Sequence, residues 1–211
     1  VRIEKAKDDE TFKPTVLVKD FNLKQTSAAA WLRYEDFENP ELVCGGFRYG
    51  IGGMDAADSV DLNAAKVLCM RRDDRQIYVK QMYWIPQDVL DRQELTGDRK
   101  GRDAVPYQLW KDQGLLRTVE GNKVDKRVML DWFREIRDQE DIFILYIGYD
   151  PWHIDDSLLR EFQMEFGEKS MIPVRQGVIT LSQPMKDLKA DLQAKRIVYN
   201  DHPIDKWCFF N

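Results

Sequence analysis

The stretch Tyr49–Met70, YGIGGMDAADSVDLNAAKVLCM, decides how the rest of the chain is read. Two apolar runs flank a short polar connection that carries three aspartates, Asp55, Asp58 and Asp61. A connection this short makes the two runs an antiparallel hairpin. Carboxylates crowded at such a junction cost stability unless water or a cation neutralises them. Two readings follow, a solvated hairpin turn and a metal site. A calcium loop of the EF-hand type is excluded by counting from Asp55. Ala57, Val60 and Lys66 fall where that loop needs an oxygen ligand, a glycine and a glutamate.

Working outward, the apolar pattern predicts three neighbouring strands, Gly46–Met54, Ala64–Arg71 and Gln76–Trp84, the last two joined by a turn at Asp73-Asp74. Pro86 opens a short helical stretch with Val89 and Leu90. The polar segment RQELTGDRKGRDAVP, Arg92–Pro106, reads as a loop bearing Arg92, Arg99, Lys100 and Arg102. VPYQLWKDQG reads as a short helix closed by Gly114. The second half then alternates. VDKRVMLDWFREIRDQED sets Val128 or Met129, Trp132, Phe133 and Ile136 on one helical face. Ile142–Tyr149 is an unbroken apolar run stopped by Pro151, which predicts a strand buried on both faces. DDSLLREFQMEFG predicts a helix with Leu158, Leu159, Phe162 and Phe166 inward, and Met171–Val174 a short strand. SQPMKDLKADLQAKR predicts a helix with Met185, Leu188 and Leu192 inward. Upstream, VRIEKAKDDETFKPT has no period and reads as a tail. Thr26 and Ser27 precede a predicted short helix around Ala28–Leu32, and Asn39-Pro40 marks a turn.

Composition bounds the function. The 211 residues suffice for one sizeable core or two small ones, and 43% hydrophobic with 33% charged residues is an ordinary soluble balance. No apolar run reaches the length of a membrane span and no signal peptide is visible. The chain begins with Val1 rather than Met, as a fragment or trimmed product would. Three widely spaced cysteines, Cys44, Cys69 and Cys208, suit reduced thiols rather than a disulfide framework. With two histidines and no Cys-x-x-Cys, a structural zinc site is disfavoured. The net charge of −5 argues against a general nucleic-acid coat protein, yet leaves room for a basic groove beside an acidic centre.

Three antiparallel strands followed by helix, strand, helix, strand, helix is the element order of a ribonuclease H-like fold, an α/β architecture with a mixed sheet flanked by helices. In that fold the fourth strand lies parallel to the first and beside it. Asp55 and Asp150, 95 positions apart, would then face each other at neighbouring strand ends. Two close carboxylates shift each other's pKa unless a cation neutralises them. Hard oxygen ligands select magnesium or manganese. Two such ions about 4 Å apart can activate water and stabilise a leaving oxygen in phosphodiester cleavage.

The segments GGMDAADSVDLNAA, MYWIPQ, VPYQLWKDQGLLRTVEGNKVD, YIGYDPW, RQGVITLSQPMKDL and HPIDKW, in that order, resemble the nuclease half of the large terminase subunits of tailed double-stranded DNA phages. VKDFNLKQTSAAAWL resembles the segment that joins the ATPase half to it. The likeness runs from about Val18 to Asn211. It implies a metal-dependent endonuclease that cuts concatemeric viral DNA during packaging, using Mg2+ or Mn2+ in a two-metal site. Residues 1–44 would be a tail and linker from an ATPase half and 45–211 the nuclease domain. It implies that Asp55 and Asp150 match catalytic metal-binding aspartates, and that Asp61 supports them. It implies double-stranded DNA, the portal protein, the small terminase subunit and the ATPase half as partners, in the host bacterial cytoplasm. Two departures stand out. No G-x-x-x-x-G-K-[ST] occurs, so the ATPase motor is absent from this chain. The family's further carboxylate is expected on a helix past HPIDKWCFFN, with Asp201 and Asp205 as the nearest substitutes; Asp205 reads as the start of a short helix.

Rival readings are weighed against this one. A sugar-kinase or actin type needs a glycine-rich phosphate loop, which AADSVD lacks. A ribonuclease H-like DNA-binding module without catalysis is the alternative that both aspartates weigh against. Arg99, Lys100 and Arg102 are candidate phosphate contacts, against a plain surface loop. Trp110, Trp132 and Trp207 read as core rather than base-stacking residues, Trp152 as site rim or surface, His153 as a surface residue ahead of one that positions a water or a phosphate, and Cys69 as a buried strand residue.

Overall fold

A computed structural model describes residues 31–57, 61–96 and 105–210. The helix expected around Ala28–Leu32 falls partly outside these residues; Trp31 and Leu32 are not helical. A single turn, α1 (Tyr34–Phe37), forms instead. Asp36 holds it by accepting from the Arg33 backbone N–H at 3.1 Å and from the Arg33 guanidinium, which keeps the Asp36 carboxyl below its usual range.

The hairpin is as predicted. β1 (Tyr49–Asp55) and β2 (Asn63–Met70) pair antiparallel, with Asp55 opposite Ala64. β3 (Ile77–Pro86) continues the meander along the whole of β2. There follow α2 (Gln87–Thr96), α3 (Tyr107–Asp112), β4 (Arg117–Val119), α4 (Arg127–Glu140), β5 (Phe143–Tyr149), α5 (Asp156–Phe166), β6 (Met171–Pro173), α6 (Val178–Gln193), β7 (Ile197–Val198) and α7 (Pro203–Phe210). Across the sheet the order is β4-β3-β2-β1-β5-β6, with β7 paired to the start of β3. β5 runs parallel to β1 and beside it, and β6 parallel to β5. This is the α/β mixed sheet of the ribonuclease H-like order. β4 and β7 went unpredicted because strands of three and two residues carry too few positions to show a period.

One face of the sheet is covered by α4 and α5, whose Met129, Trp132, Phe133, Ile136, Leu158 and Phe162 pack on Val67, Ile144 and Ile147. Gly52 permits that approach: a Cβ there would stand 2.8 Å from Phe133 Cε1 and 3.0 Å from Ile147 Cγ1. The other face is covered mainly over β3. Leu32, Phe37, Val79, Leu192, Ile197 and Tyr199 form one cluster there. Tyr83, Ile85, Leu90, Trp110, Leu116 and Ile204 form another.

Two expectations are corrected by this arrangement. β5 is buried on one face only. Ile144 and Ile147 are inside, while Phe143, Leu145 and Tyr146 are exposed, because α6 crosses the second face over β2 and β3 rather than over β5. Helix α6 also begins at Val178, four residues before Ser182, with Pro184 inside it. Only its C-terminal half meets the sheet, so Leu192 is buried, Leu188 partly buried and Met185 exposed. Trp110 and Trp132 are core as read, and Trp207 packs partly buried with its ring 6.0 Å from that of Trp110. Cys69 is buried and its thiol is pushed up to about 11 by burial. Among the described residues no helix is long and apolar enough to cross a membrane.

Candidate active site

The parallel register between β1 and β5 runs from Tyr49 opposite Phe143 to Met54 opposite Tyr149. The next residues are Asp55 and Asp150, so the two aspartates stand at neighbouring C-terminal strand ends. Met54 and Tyr149, a register pair, both turn inward to the core under α4 and α5. Asp55, the next residue of β1, therefore faces away from those helices, while Asp150 lies just past the end of β5. In sheets of this kind the C-terminal edge is where ligands are held.

The two carboxylates differ in their surroundings. Asp55 is exposed, and its Oδ1 accepts from the Gln176 side-chain amide at 3.4 Å. Asp150 is only 7% exposed. Its Oδ1 accepts from the Trp152 backbone N–H at 3.0 Å, and its peptide oxygen accepts from the His153 N–H at 3.3 Å. His153 Nε2 stands 4.0 Å from Asp150 Oδ2. Pro151 ends the strand, and the tight turn behind it clamps the carboxylate through its own backbone. That leaves the Trp152 ring outside, 80% exposed.

Two positions that sequence reasoning passed over complete the frame. Asn63 is fully buried at the start of β2; its Oδ1 accepts from the Ala57 N–H at 2.9 Å and its Nδ2 donates to the Asp61 carbonyl at 3.2 Å. One side chain therefore holds both ends of the aspartate-rich turn. Val174 N–H donates to the Tyr149 carbonyl at 2.8 Å, extending the β5–β6 pairing and bringing Arg175 and Gln176 to the same edge. Gln176 carries no motif by itself, and only its position after a third parallel strand marks it.

Asp61 is exposed on the turn, and Asp58 lies outside the described residues. Among the described residues there is no group of three or more His, Cys, Asp or Glu poised to hold a metal. Asp205 is buried in the first turn of α7, as its reading as a helix start required. Its oxygens are taken by Lys66 and by the Gln81 amide at 3.1 Å. Asp201 is paired with Lys206 at 2.5 Å. Protein cations thus already satisfy both substitutes. Arg99, Lys100 and Arg102 lie outside the described residues; Arg92 is exposed on α2, its Nε donating to the Asp88 carbonyl.

A profile of the family described as "Terminase large subunit, endonuclease domain" matches residues 2–211. The chain belongs to that family. It is 27% identical over 160 residues to the "Terminase, large subunit" of Enterobacteria phage HK97, covering 75% of this chain and 30% of that protein. It is also 27% identical over 162 residues to "Protein YmfN" of Escherichia coli (strain K12), covering 74% of this chain and 34% of that one. The crystal structure of the HK97 bacteriophage large terminase shares the fold, with a TM-score of 0.67 at 23% identity, over 100% of this chain and 42% of that one. The chain therefore spans about a third of the length of its curated relatives.

Proposed function

We propose that the chain is the divalent-metal-dependent endonuclease domain of a phage large terminase, and that it hydrolyses phosphodiester bonds of concatemeric double-stranded viral DNA during genome packaging. The observation that carries this reading is the parallel register ending at Asp55 and Asp150. The donor set fits hard cations: two carboxylates at one edge, neither paired with a lysine or arginine among the described residues. Mg2+ or Mn2+ is accordingly the group these residues would hold. When bound, such ions supply an activated water and charge stabilisation at the leaving oxygen.

The protein's own part is positional. The Trp152 amide fixes the Asp150 carboxylate, Gln176 steadies Asp55, and Asn63 ties the Ala57 and Asp61 backbones together beside them. Two aspartates balance only half the charge of two divalent ions, so a further carboxylate completes the set. Asp61 is the described candidate, and a later helix of the family is the other source. By the same reading residues 1–44 connect to an ATPase half. The packaging complex, with portal protein and small terminase subunit, assembles in the host bacterial cytoplasm.

A second reading, a DNA-binding module without catalysis, is favoured by one observation: the described residues gather two carboxylates at this edge and not three. Incubating supercoiled plasmid with the protein in Mn2+, Mg2+ or EDTA separates the two. Nicking and linearisation that need the metal and vanish in Asp150→Asn support the nuclease; metal-independent binding with no cleavage supports the module.

A further inference from the structure

Beside Asp150, on the side of α4 and α5, lies an open groove of about 430 Å³. It runs from Ala57, two residues past Asp55, between the loop before α4 and the turn after β5. Its volume is in the range of pockets that hold small ligands, and far too small for a duplex. The Trp152 ring lines it while remaining 80% exposed, and makes no aromatic or cation–π contact among the described residues. An indole set out in water on a rigid turn is available for stacking.

The charges in the groove divide into those already used and one that is not. Arg127 is gripped by Glu161, with Nη2–Oε1 at 2.9 Å, and lies 3.6 Å from Asp125. Asp125 Oδ1 also accepts from the Arg127 N–H, and Asp155 caps α5 by accepting from the Leu158 N–H at 2.9 Å. The Lys126 ammonium donates to the His153 carbonyl and so braces the two walls. Lys123 also lines the groove, is exposed, and forms no ion pair or hydrogen bond with the described residues. What remains for a ligand is one π face and one cation, next to the turn whose Trp152 N–H holds the Asp150 carboxylate.

We propose that this groove receives an unpaired nucleotide adjacent to the bond that is cut, its base stacked on Trp152 and its phosphate on Lys123. The proposal rests on the nuclease reading above. In a duplex both faces of every base are covered by neighbours, so an indole can find a base face only where a base has left the stack. Stacking of this kind tolerates any base, since every base has a π face, and a single lysine reads phosphate without sequence. The domain therefore engages DNA that is locally opened at the cut, and does so without base specificity.

The test is binding of fluorescently labelled duplexes by anisotropy, in Ca2+ so that no strand is cut. One duplex is fully paired and the other carries a central bubble of three mismatches. The bubble duplex is expected to bind about tenfold more tightly, within what base–aromatic stacking supports. Trp152→Ala should erase that preference, Trp152→Phe should retain most of it, and Lys123→Ala should weaken the bubble duplex more than the paired one. Thermal melts of each variant check folding; since the Trp152 ring is exposed, they should be unchanged. Equal binding of the two duplexes, or a preference that survives Trp152→Ala, overturns the proposal. Cleavage in Mn2+, measured separately, reports on the nuclease reading. Its absence together with an intact bubble preference would overturn that reading and leave the groove standing.

Discussion

Gln176 Nε2 lies 3.4 Å from Asp55 Oδ1 across 121 positions of sequence, tying the loop after β6 to the last residue of β1. On the proposed role of Asp55 as a metal ligand, the side chain that orients it governs how well the metal is held more than what happens once it is bound. Gln176→Ala is therefore expected to raise the Mn2+ concentration for half-maximal cleavage by about tenfold. The rate at saturating Mn2+ should change little, and Gln176→Glu should not restore the lost affinity to the same degree as the amide. A metal titration identical to that of the unaltered protein would remove Gln176 from the site.

Asp55→Asn and Asp150→Asn keep the shape of each side chain and remove its charge. Each should lower metal-dependent plasmid cleavage by at least about 100-fold, while far-ultraviolet circular dichroism stays unchanged. Asp150→Asn also keeps an oxygen for the Trp152 N–H, so a folding defect is not expected. An Asp150→Asn protein that cuts at the normal rate would sink the assignment.

Arg99, Lys100 and Arg102 are proposed to meet DNA phosphates. Replacing all three with glutamine should weaken duplex binding and flatten the slope of log affinity against log salt by up to about three ion equivalents. Affinities that superimpose at every salt concentration would leave the segment as an ordinary surface loop.

Gly52→Ala tests the packing beneath the site. A methyl at that position would push Phe133 and Ile147, and overpacking of this kind costs about 1–3 kcal/mol. The melting temperature should drop by several degrees. Gly53→Ala is the internal control, since a Cβ there meets nothing within 4 Å. Equal melting temperatures for the two variants would show that α4 shifts freely.

His202 links stability to pH. It is buried, with its ring 5.5 Å from that of Tyr83 and its Nδ1 3.6 Å from Asp205 Oδ2. Burial lowers its pKa; Asp205 opposes that and Lys66 adds to it. In the unfolded chain the imidazole titrates near the ordinary value of about 6.5, so the unfolded state takes up the proton first as pH falls. The contribution of His202 is therefore fully present above about pH 6.5 and is lost progressively below it. Urea midpoints measured at about pH 7.5 and about pH 5.5 should fall further for the unaltered protein than for His202→Gln. A larger acid-side fall in the variant would reverse the assignment.

The hairpin around Asp55, the apolar run before Asp150 and the amphipathic α4 and α5 were legible because each is a local pattern. An alternation, an unbroken apolar stretch or a 3.6-residue spacing is set by neighbours in the chain. The order of those elements was enough to pair β5 with β1 and so bring Asp55 beside Asp150. Tertiary structure alone decided what has no local period. β4 and β7 exist because β3 offers them an edge. Phe143, Leu145 and Tyr146 sit in solvent because α6 leans over β2 and β3, although their sequence reads as fully buried. Asn63, Gln176 and the exposed ring of Trp152 acquire their roles from groups up to 121 residues away or from a turn clamped by its own backbone. A single polar side chain carries no record of which distant backbone group it will meet. That information arises only when the sheet closes and the strand ends come together.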